Sequence, residues 1–247
     1  MCVLDSTTGG CASGGGVPPW SDDFGHGTHV SGTAAGARVG ASKAATVHAA
    51  KALSGSGSGT TSTVAAAANW VLNTVAATPA LRPAVVSMSL GGPASSVVDS
   101  AVQSLLGAGI PVIVAAGNDN ADACTVSPAR VPGAVTVGAA DASNARASFS
   151  NTGSCVDIFA PGVAVLSSVN ATGAYAVWSG TSMATPHVTG VVALMLAAKP
   201  CLSPASVASI LVATATQNAL SGVPAGTANR MINGAAAVRA AAASTAC

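Results

Sequence analysis

Gly180-Thr181-Ser182-Met183-Ala184-Thr185-Pro186-His187 sets one serine between a glycine turn and a run of small and apolar residues that continues to Ala198. Such a run reads as a buried helix, and a serine at its start stands where a nucleophile would. Far upstream, Asp23-Phe24-Gly25-His26-Gly27-Thr28-His29-Val30 is a second glycine-flanked polar cluster entering small residues, and Ala115-Ala116-Gly117-Asn118 lies between the two. A histidine, an asparagine and a serine in that order suggest acyl transfer.

Around these stretches, short β-branched and alanine-rich runs alternate with helical patterns. Thr46 to Leu53, Ala84 to Leu90, Pro111 to Ala116 and Ala134 to Ala139 read as buried strands. Ser62 to Ala77 and Ser96 to Gly107 carry apolar stripes at helical spacing, and Ala235 to Ala243 reads as a terminal helix. Strand and helix alternating in this way predict an α/β fold, a mainly parallel central sheet with helices on both faces. In such sheets functional loops gather at the carboxyl ends of the strands, and Asn118 directly follows one. The glycine-serine stretches 9–16 and 54–59 are too short for interdomain linkers, so residues 1–247 are expected to form a single domain.

The 247 residues include 50% hydrophobic but only 7% charged and 3% aromatic ones, with a net charge of +1. No basic stripe or stacking platform for nucleic acid is present. Apolar runs such as 110–116 and 190–198 fall short of the roughly 20 residues of a membrane span, so no membrane partner is expected. Six cysteines without a Cys-x-x-Cys spacing argue for disulfides and a secreted, extracellular protein. Met1-Cys2-Val3-Leu4-Asp5 lacks the basic start and apolar run of a signal peptide, as expected of a mature or trimmed form.

A serine hydroxyl needs a base to accept its proton, and the base needs a carboxylate to fix its tautomer. All eight acidic residues are aspartates, at positions 5, 22, 23, 99, 119, 122, 141 and 157, and none follows Ser182. The order serine, acid, histidine of α/β-hydrolases is therefore excluded. Asp22 and Asp23 lie so near His26 in sequence that they read as part of its approach loop. Asp5 ends the apolar run Cys2-Val3-Leu4, a strand terminus from which a carboxylate could orient a histidine on a neighbouring helix. The order Asp5, His26, Ser182 is that of the subtilisin-type triad.

With these residues quoted, the chain resembles the subtilases, serine peptidases, in their proteinase K-like branch with its aqualysin-type bacterial members. Gly25-His26-Gly27-Thr28-His29-Val30 is similar to the family's histidine motif, Gly180 to His187 to its serine motif, and Ser87-Met88-Ser89-Leu90-Gly91-Gly92 to its substrate-binding strand. The resemblance implies that Ser182 attacks the scissile carbonyl, that His26 is base and then acid, that Asp5 orients His26, and that Asn118 and the Ser182 N–H receive the oxyanion. It also implies a polypeptide substrate pairing between Gly57-Ser58 and Ser89-Leu90-Gly91, a first specificity pocket walled by Ala115, Ala116 and Gly117, and broad specificity. Thr61 stands where relatives carry a larger residue, which leaves the outer pocket open.

No cofactor is implied for the chemistry. A structural Ca²⁺ is, held by the carbonyls of Pro132 and Ala134 and the carboxylate of Asp157, oxygen ligands that suit a hard cation. The resemblance implies a Cys124–Cys155 bridge and leaves Cys201 with Cys247 and Cys2 with Cys11. The chain departs from the family in carrying Asp5-Ser6-Thr7 where Asp-Thr-Gly or Asp-Ser-Gly is usual, in a shortened Asp5-to-His26 segment, and in lacking the usual amino-terminal segment.

A monomeric endopeptidase is the leading expectation. A serine esterase or polyester hydrolase on the same scaffold and a catalytically impaired scaffold are the alternatives. His29, His48 and His187 read as packed or hydrogen-bonded.

Overall fold

The computed structural model describes residues 21–246. Expectations for Asp5, for Cys2 and Cys11, and for Cys247 fall outside these residues. In chain order the helices are α1 (His26–Ala35), α2 (Thr61–Ala77), α3 (Ser96–Gly107), α4 (Thr181–Ala198), α5 (Pro204–Thr214) and α6 (Gly234–Ala243). The strands are β1 (Val86–Met88), β2 (Gly92–Pro93), β3 (Val112–Ala115), β4 (Val126–Ser127), β5 (Val135–Ala140), β6 (Ile158–Pro161), β7 (Val165–Ser168), β8 (Tyr175–Trp178), β9 (Thr216–Gln217) and β10 (Arg230–Met231).

One sheet runs in the order β1-β3-β5-β6-β10-β9, parallel except for the antiparallel β10–β9 pair. Parallel sheets need cover on both faces, and β3 shows how the sequence provides it. Alternate side chains of a strand point to opposite faces. Val112 and Val114 join the core that α2 and α3 close with Val71, Val75, Val102 and Leu105. Ile113 points the other way, into the core of α4, α5 and α6 with Val188, Val192, Met195 and Leu211. The continuous apolar run of β3 is thus a strand buried on both sides, as its sequence predicts.

The expected strand over 46–53 does not form among the described residues; only Ala50 carries a ladder bridge. Its apolar content is used differently. Ala50 and Ala52 are buried against the cluster of Val86 and Met88, so the segment packs beside the sheet without the repeated hydrogen bonds that define a strand. The hairpin β7–β8, with Leu166 opposite Val177, lies outside the main sheet and was not expected.

Helix α4 has 18 residues of mean hydropathy 1.3, and 67% of it is buried within the fold. It contacts β1, β3, β5 and β6 on one side and α1 and α6 elsewhere. Gly190 is what allows α1 so close: a Cβ there would stand 2.6 Å from the Ala34 carbonyl oxygen and 2.7 Å from the Ala41 Cβ. Gly190→Ala is expected to destabilise the protein by about 1–3 kcal/mol, the usual cost of overpacking a filled interior. The midpoint of denaturant unfolding measures this, and an unchanged midpoint would show that the helices can separate freely.

Candidate active site

Two helix starts bring the candidate residues together. His26 is the first residue of α1, and Ser182 is the second residue of α4. Ala34 and Gly190, which lie against each other, are on these helices about two turns, roughly 12 Å, beyond His26 and Ser182 respectively. Nearer the starts, Val30 of α1 and Met183 of α4 share a small cluster with Val165 and Trp178. The helices therefore run side by side in the same direction, with His26 and Ser182 at the same end.

The turn before α1 is built by Asp22. Gly25, at the N-cap, has no side chain to offer the helix. Asp22 reaches across instead: Oδ1 accepts from the N–H of Gly25 at 2.8 Å, and Oδ2 from the N–H and hydroxyl of Thr28, both at 2.7 Å. Burial, the largest single influence on Asp22, raises its pKa, but together these donors and the Phe24 N–H hold it below its ordinary value of 3.8. Asp23 has a separate task, pairing with Lys51. His26 is pushed down to about 4, chiefly by burial and against the raising effect of the Asp22 carboxylate. Its imidazole is thus neutral at neutral pH and able to accept a proton.

At the start of α4, Pro186 has no N–H, so the Ser182 carbonyl four residues earlier loses its intrahelical donor. The buried Ser89 hydroxyl supplies one at 2.8 Å, and Ser182 Oγ donates back to the Ser89 carbonyl at 3.4 Å. Among the described residues no hydrogen bond joins Ser182 Oγ to His26. Leu90 and Gly91 continue from Ser89 beyond β1 without joining a ladder.

Asn118 follows β3 and is exposed, after Ala115, the fully buried Ala116, and Gly117 at φ +106°. Its Oδ1 accepts from the N–H of Thr181 at 2.8 Å and from the Thr181 hydroxyl at 2.9 Å, which leaves Nδ2 to donate elsewhere. Thr181 Oγ1 in turn accepts from the Gly117 N–H at 3.2 Å. The point where a Gly180 Cβ would stand lies 3.6 Å from Ser182 N and 3.8 Å from Asn118 Nδ2. Two donors therefore border one space, which remains open because residue 180 has no side chain.

Gly57 and Ser58 lie in a turn held by Ser54 N–H to Ser58 O at 2.8 Å and Gly57 N–H to Ser54 O at 3.0 Å. A groove lined by Phe24, His26, Leu53, Ser54 and Gly57 separates this turn from α1. Phe24, absent from the sequence expectations, is 49% exposed with its ring centroid 6.4 Å from that of His26. His29 is fully buried, stacked on Trp178 at 4.6 Å, and His187 contacts the Met183 carbonyl at 2.9 Å. Both are packed as expected, whereas His48 is exposed.

Away from this region, Asp157 Oδ2 accepts from the Thr136 N–H at 2.8 Å, and the Pro132 carbonyl accepts from the Gln103 amide at 2.8 Å. Burial pushes the Asp157 carboxyl up, against the pull of Thr136 and Arg230. One carboxylate oxygen without a hydrogen bond among the described residues, plus backbone carbonyls, is an all-oxygen donor set that fits a hard cation. Cys124 is bonded to Cys155, and Cys201 is also in a disulfide.

Comparison with known proteins agrees with this architecture. Residues 14–232 match the model of the Subtilase family, peptidase S8. An extracellular serine proteinase from Thermus sp. (strain Rt41A) is 50% identical over 80% of this chain and 47% of its own length. The alkaline serine exoprotease A of Vibrio alginolyticus is 50% identical over 79% of this chain and 36% of its own. A cuticle-degrading serine protease of Arthrobotrys oligospora is 47% identical over 85% and 51%. A crystal structure of a cold-adapted subtilisin-like serine proteinase superposes with a TM-score of 0.81 at 47% identity, covering 85% of this chain and 75% of that one.

A parallel sheet that holds a histidine-headed and a serine-headed helix side by side defines the subtilisin-like class. The chain belongs to the subtilase family. It spans about half or less of the length of the curated relatives it matches.

The Asp22 cap gives the start of α1 a pH signature. Because its pKa is lowered in the folded state, its contribution is present above pH 3.8 and is lost as pH falls through the lower folded value. Asp22→Ala is expected to cost about 0.5–2 kcal/mol near neutrality, in the range of a lost helix cap. Unfolding curves at several pH values should show that deficit shrinking below pH 4; a deficit independent of pH would remove the carboxylate from this role.

Proposed function

We propose that this protein is a secreted serine endopeptidase of broad specificity that works through an acyl-enzyme. The observation that carries this reading is the pair of donors, Asn118 Nδ2 and Ser182 N–H, bordering one space at the start of the helix that carries Ser182. In the proposed mechanism His26, neutral because of its burial, takes the hydroxyl proton of Ser182 as Oγ attacks the scissile carbonyl. The carbonyl oxygen becomes an anion between the two donors, where the start of α4 adds its favourable dipole. His26 then gives the proton to the leaving amine, and water repeats the sequence on the acyl-enzyme. Asp5 is proposed to orient His26.

Substrate is proposed to lie as an added strand between Gly57-Ser58 and Ser89-Leu90-Gly91, using main-chain hydrogen bonds that do not depend on side-chain identity. Ala115, Ala116 and Gly117 would wall the first specificity pocket. Because Ser89 commits its hydroxyl to Ser182, it would meet substrate through its backbone. Relatives described as extracellular, and disulfides at Cys124–Cys155 and Cys201, support secretion.

A fluorophosphonate probe tests the chemistry. The unaltered protein is expected to take up label and cleave casein, and Ser182→Ala to do neither. Asp5→Asn is expected to slow casein cleavage by about 10⁴ through a mis-set tautomer. Labelling that survives Ser182→Ala would refute the assignment, and hydrolysis of p-nitrophenyl esters without any peptide cleavage would turn it to an esterase.

Calcium is proposed as a structural ion held by Asp157 with the carbonyls of Pro132 and Ala134. Binding only the folded state, it would raise stability with its concentration. EDTA is expected to lower the thermal midpoint of the unaltered protein and to leave that of Asp157→Asn nearly unchanged; equal shifts would place the ion elsewhere.

A further inference from the structure

We infer that Asn151 is a positioning residue for the oxyanion donor Asn118; the inference rests on the proposed acyl-transfer function. Asn151 is fully buried, directly after a turn closed by the Ser150 N–H on the Ala147 carbonyl, and is not among the three atoms nearest the Gly180 Cβ point. The hydrogen bonds of its side chain all go to the loop that carries Asn118. Nδ2 donates to the Ala116 carbonyl at 2.9 Å. Oδ1 accepts from the N–H groups of Asp119 at 3.0 Å and Ala121 at 2.9 Å. The Asn151 N–H donates to the Gly117 carbonyl at 3.0 Å.

These four bonds grip residues 116, 117, 119 and 121, on both sides of Asn118, while the Asn118 backbone receives none of them. Backbone polar groups of the loop need partners: the Asn120 N–H finds the Phe149 carbonyl at 2.8 Å and the Ala121 carbonyl the Thr152 N–H at 2.9 Å, while the groups flanking Asn118 depend on Asn151 and Thr181. One buried side chain that satisfies three of them sets where the loop can stand. Gly117 confirms how close the grip is: it holds φ +106°, and a Cβ there would overlap the Asn151 amide. The loop is therefore clamped from below by Asn151 and from the side by Thr181, leaving Asn118 Nδ2 aimed at one point.

Oxyanion stabilisation depends on donors being in place before charge develops, so a small displacement lowers kcat and leaves ground-state binding alone. The substrate backbone is held by other segments, at 57–58 and 89–91, and only the proposed first pocket at 115–117 shares residues that Asn151 grips. Asn151 should therefore act chiefly on kcat, through Asn118, with a smaller effect on KM through the pocket wall at 116–117.

A double-mutant cycle decides this. Asn151→Leu removes the side-chain bonds and is expected to lower kcat on a peptide substrate by about 10–100-fold with KM changed less than about threefold. Asn118→Ala should lower kcat by about 10²–10³, the measured cost of removing such a donor from a subtilisin. In the Asn118→Ala background, Asn151→Leu should cost less than about threefold more. Should Asn151→Leu fail to fold by circular dichroism, Asn151→Asp replaces it in the cycle; it keeps both acceptor bonds, loses the donor to Ala116, and should show the same dependence on Asn118.

Factors that multiply in the double variant, or a loss carried by KM, would overturn the inference and leave Asn151 a fold-stabilising residue. An unaltered protein that neither labels with fluorophosphonate nor cleaves peptide would instead overturn the functional reading on which it rests.

Discussion

The close approach of α1 to α4 across Gly190 is the constraint on which the rest of the structure depends. Without a side chain at that point, the Ala34 carbonyl lies against α4, and the two helices run in step back to His26 and Ser182. The protein has few charges with which to hold such an arrangement. Among the described residues the ion pairs are Lys51–Asp23 and Arg130–Asp99, partly exposed pairs of a kind that contributes little. Fit between small residues and burial of the sheet on both faces do that work, and in a filled interior such contacts tolerate little displacement.

The start of α4 illustrates how one irregularity is compensated by another. Pro186 removes a hydrogen bond from the helix, and the acceptor it frees is the carbonyl of the candidate nucleophile. Ser89 satisfies that acceptor and thereby ties the end of β1 to Ser182. The same residues that resemble a substrate-binding strand in sequence thus also brace the helix start. Loss of a backbone donor inside the helix becomes a cross-link between strand and helix.

Much of this was legible in sequence for a physical reason. His26 directly follows a glycine, Ser182 stands two residues after one, and both precede small residues, a pattern that suits a tight turn into a closely packed helix. Strand β3 was legible because a continuous apolar run has to be buried on both faces, and β1 and β5 because valine and other apolar residues dominate them despite Ser87 and Thr136. Residues 46–53 show the limit of that logic: alanine and valine there signal burial, but burial against a sheet edge does not require pairing. Asp22 was legible as part of the approach loop of His26, but Thr181 and Asn151 were not legible as parts of the site, because each acts through hydrogen bonds to a loop far away in sequence. Asn151 reaches across more than thirty positions to Ala116, and no local pattern around Ser150-Asn151-Thr152 announces that partner.

The burial of α4 also has a consequence for the order of events during synthesis. Helix α1 leaves the ribosome early and α4 late, and α4 packs not only on the sheet but on α6, where Gly234 lies against Val191. The helix that bears Ser182 lacks part of its burial until α6 has emerged. During synthesis the histidine-bearing helix therefore waits for the serine-bearing one, and that helix for α6, before the two starts can be enclosed together.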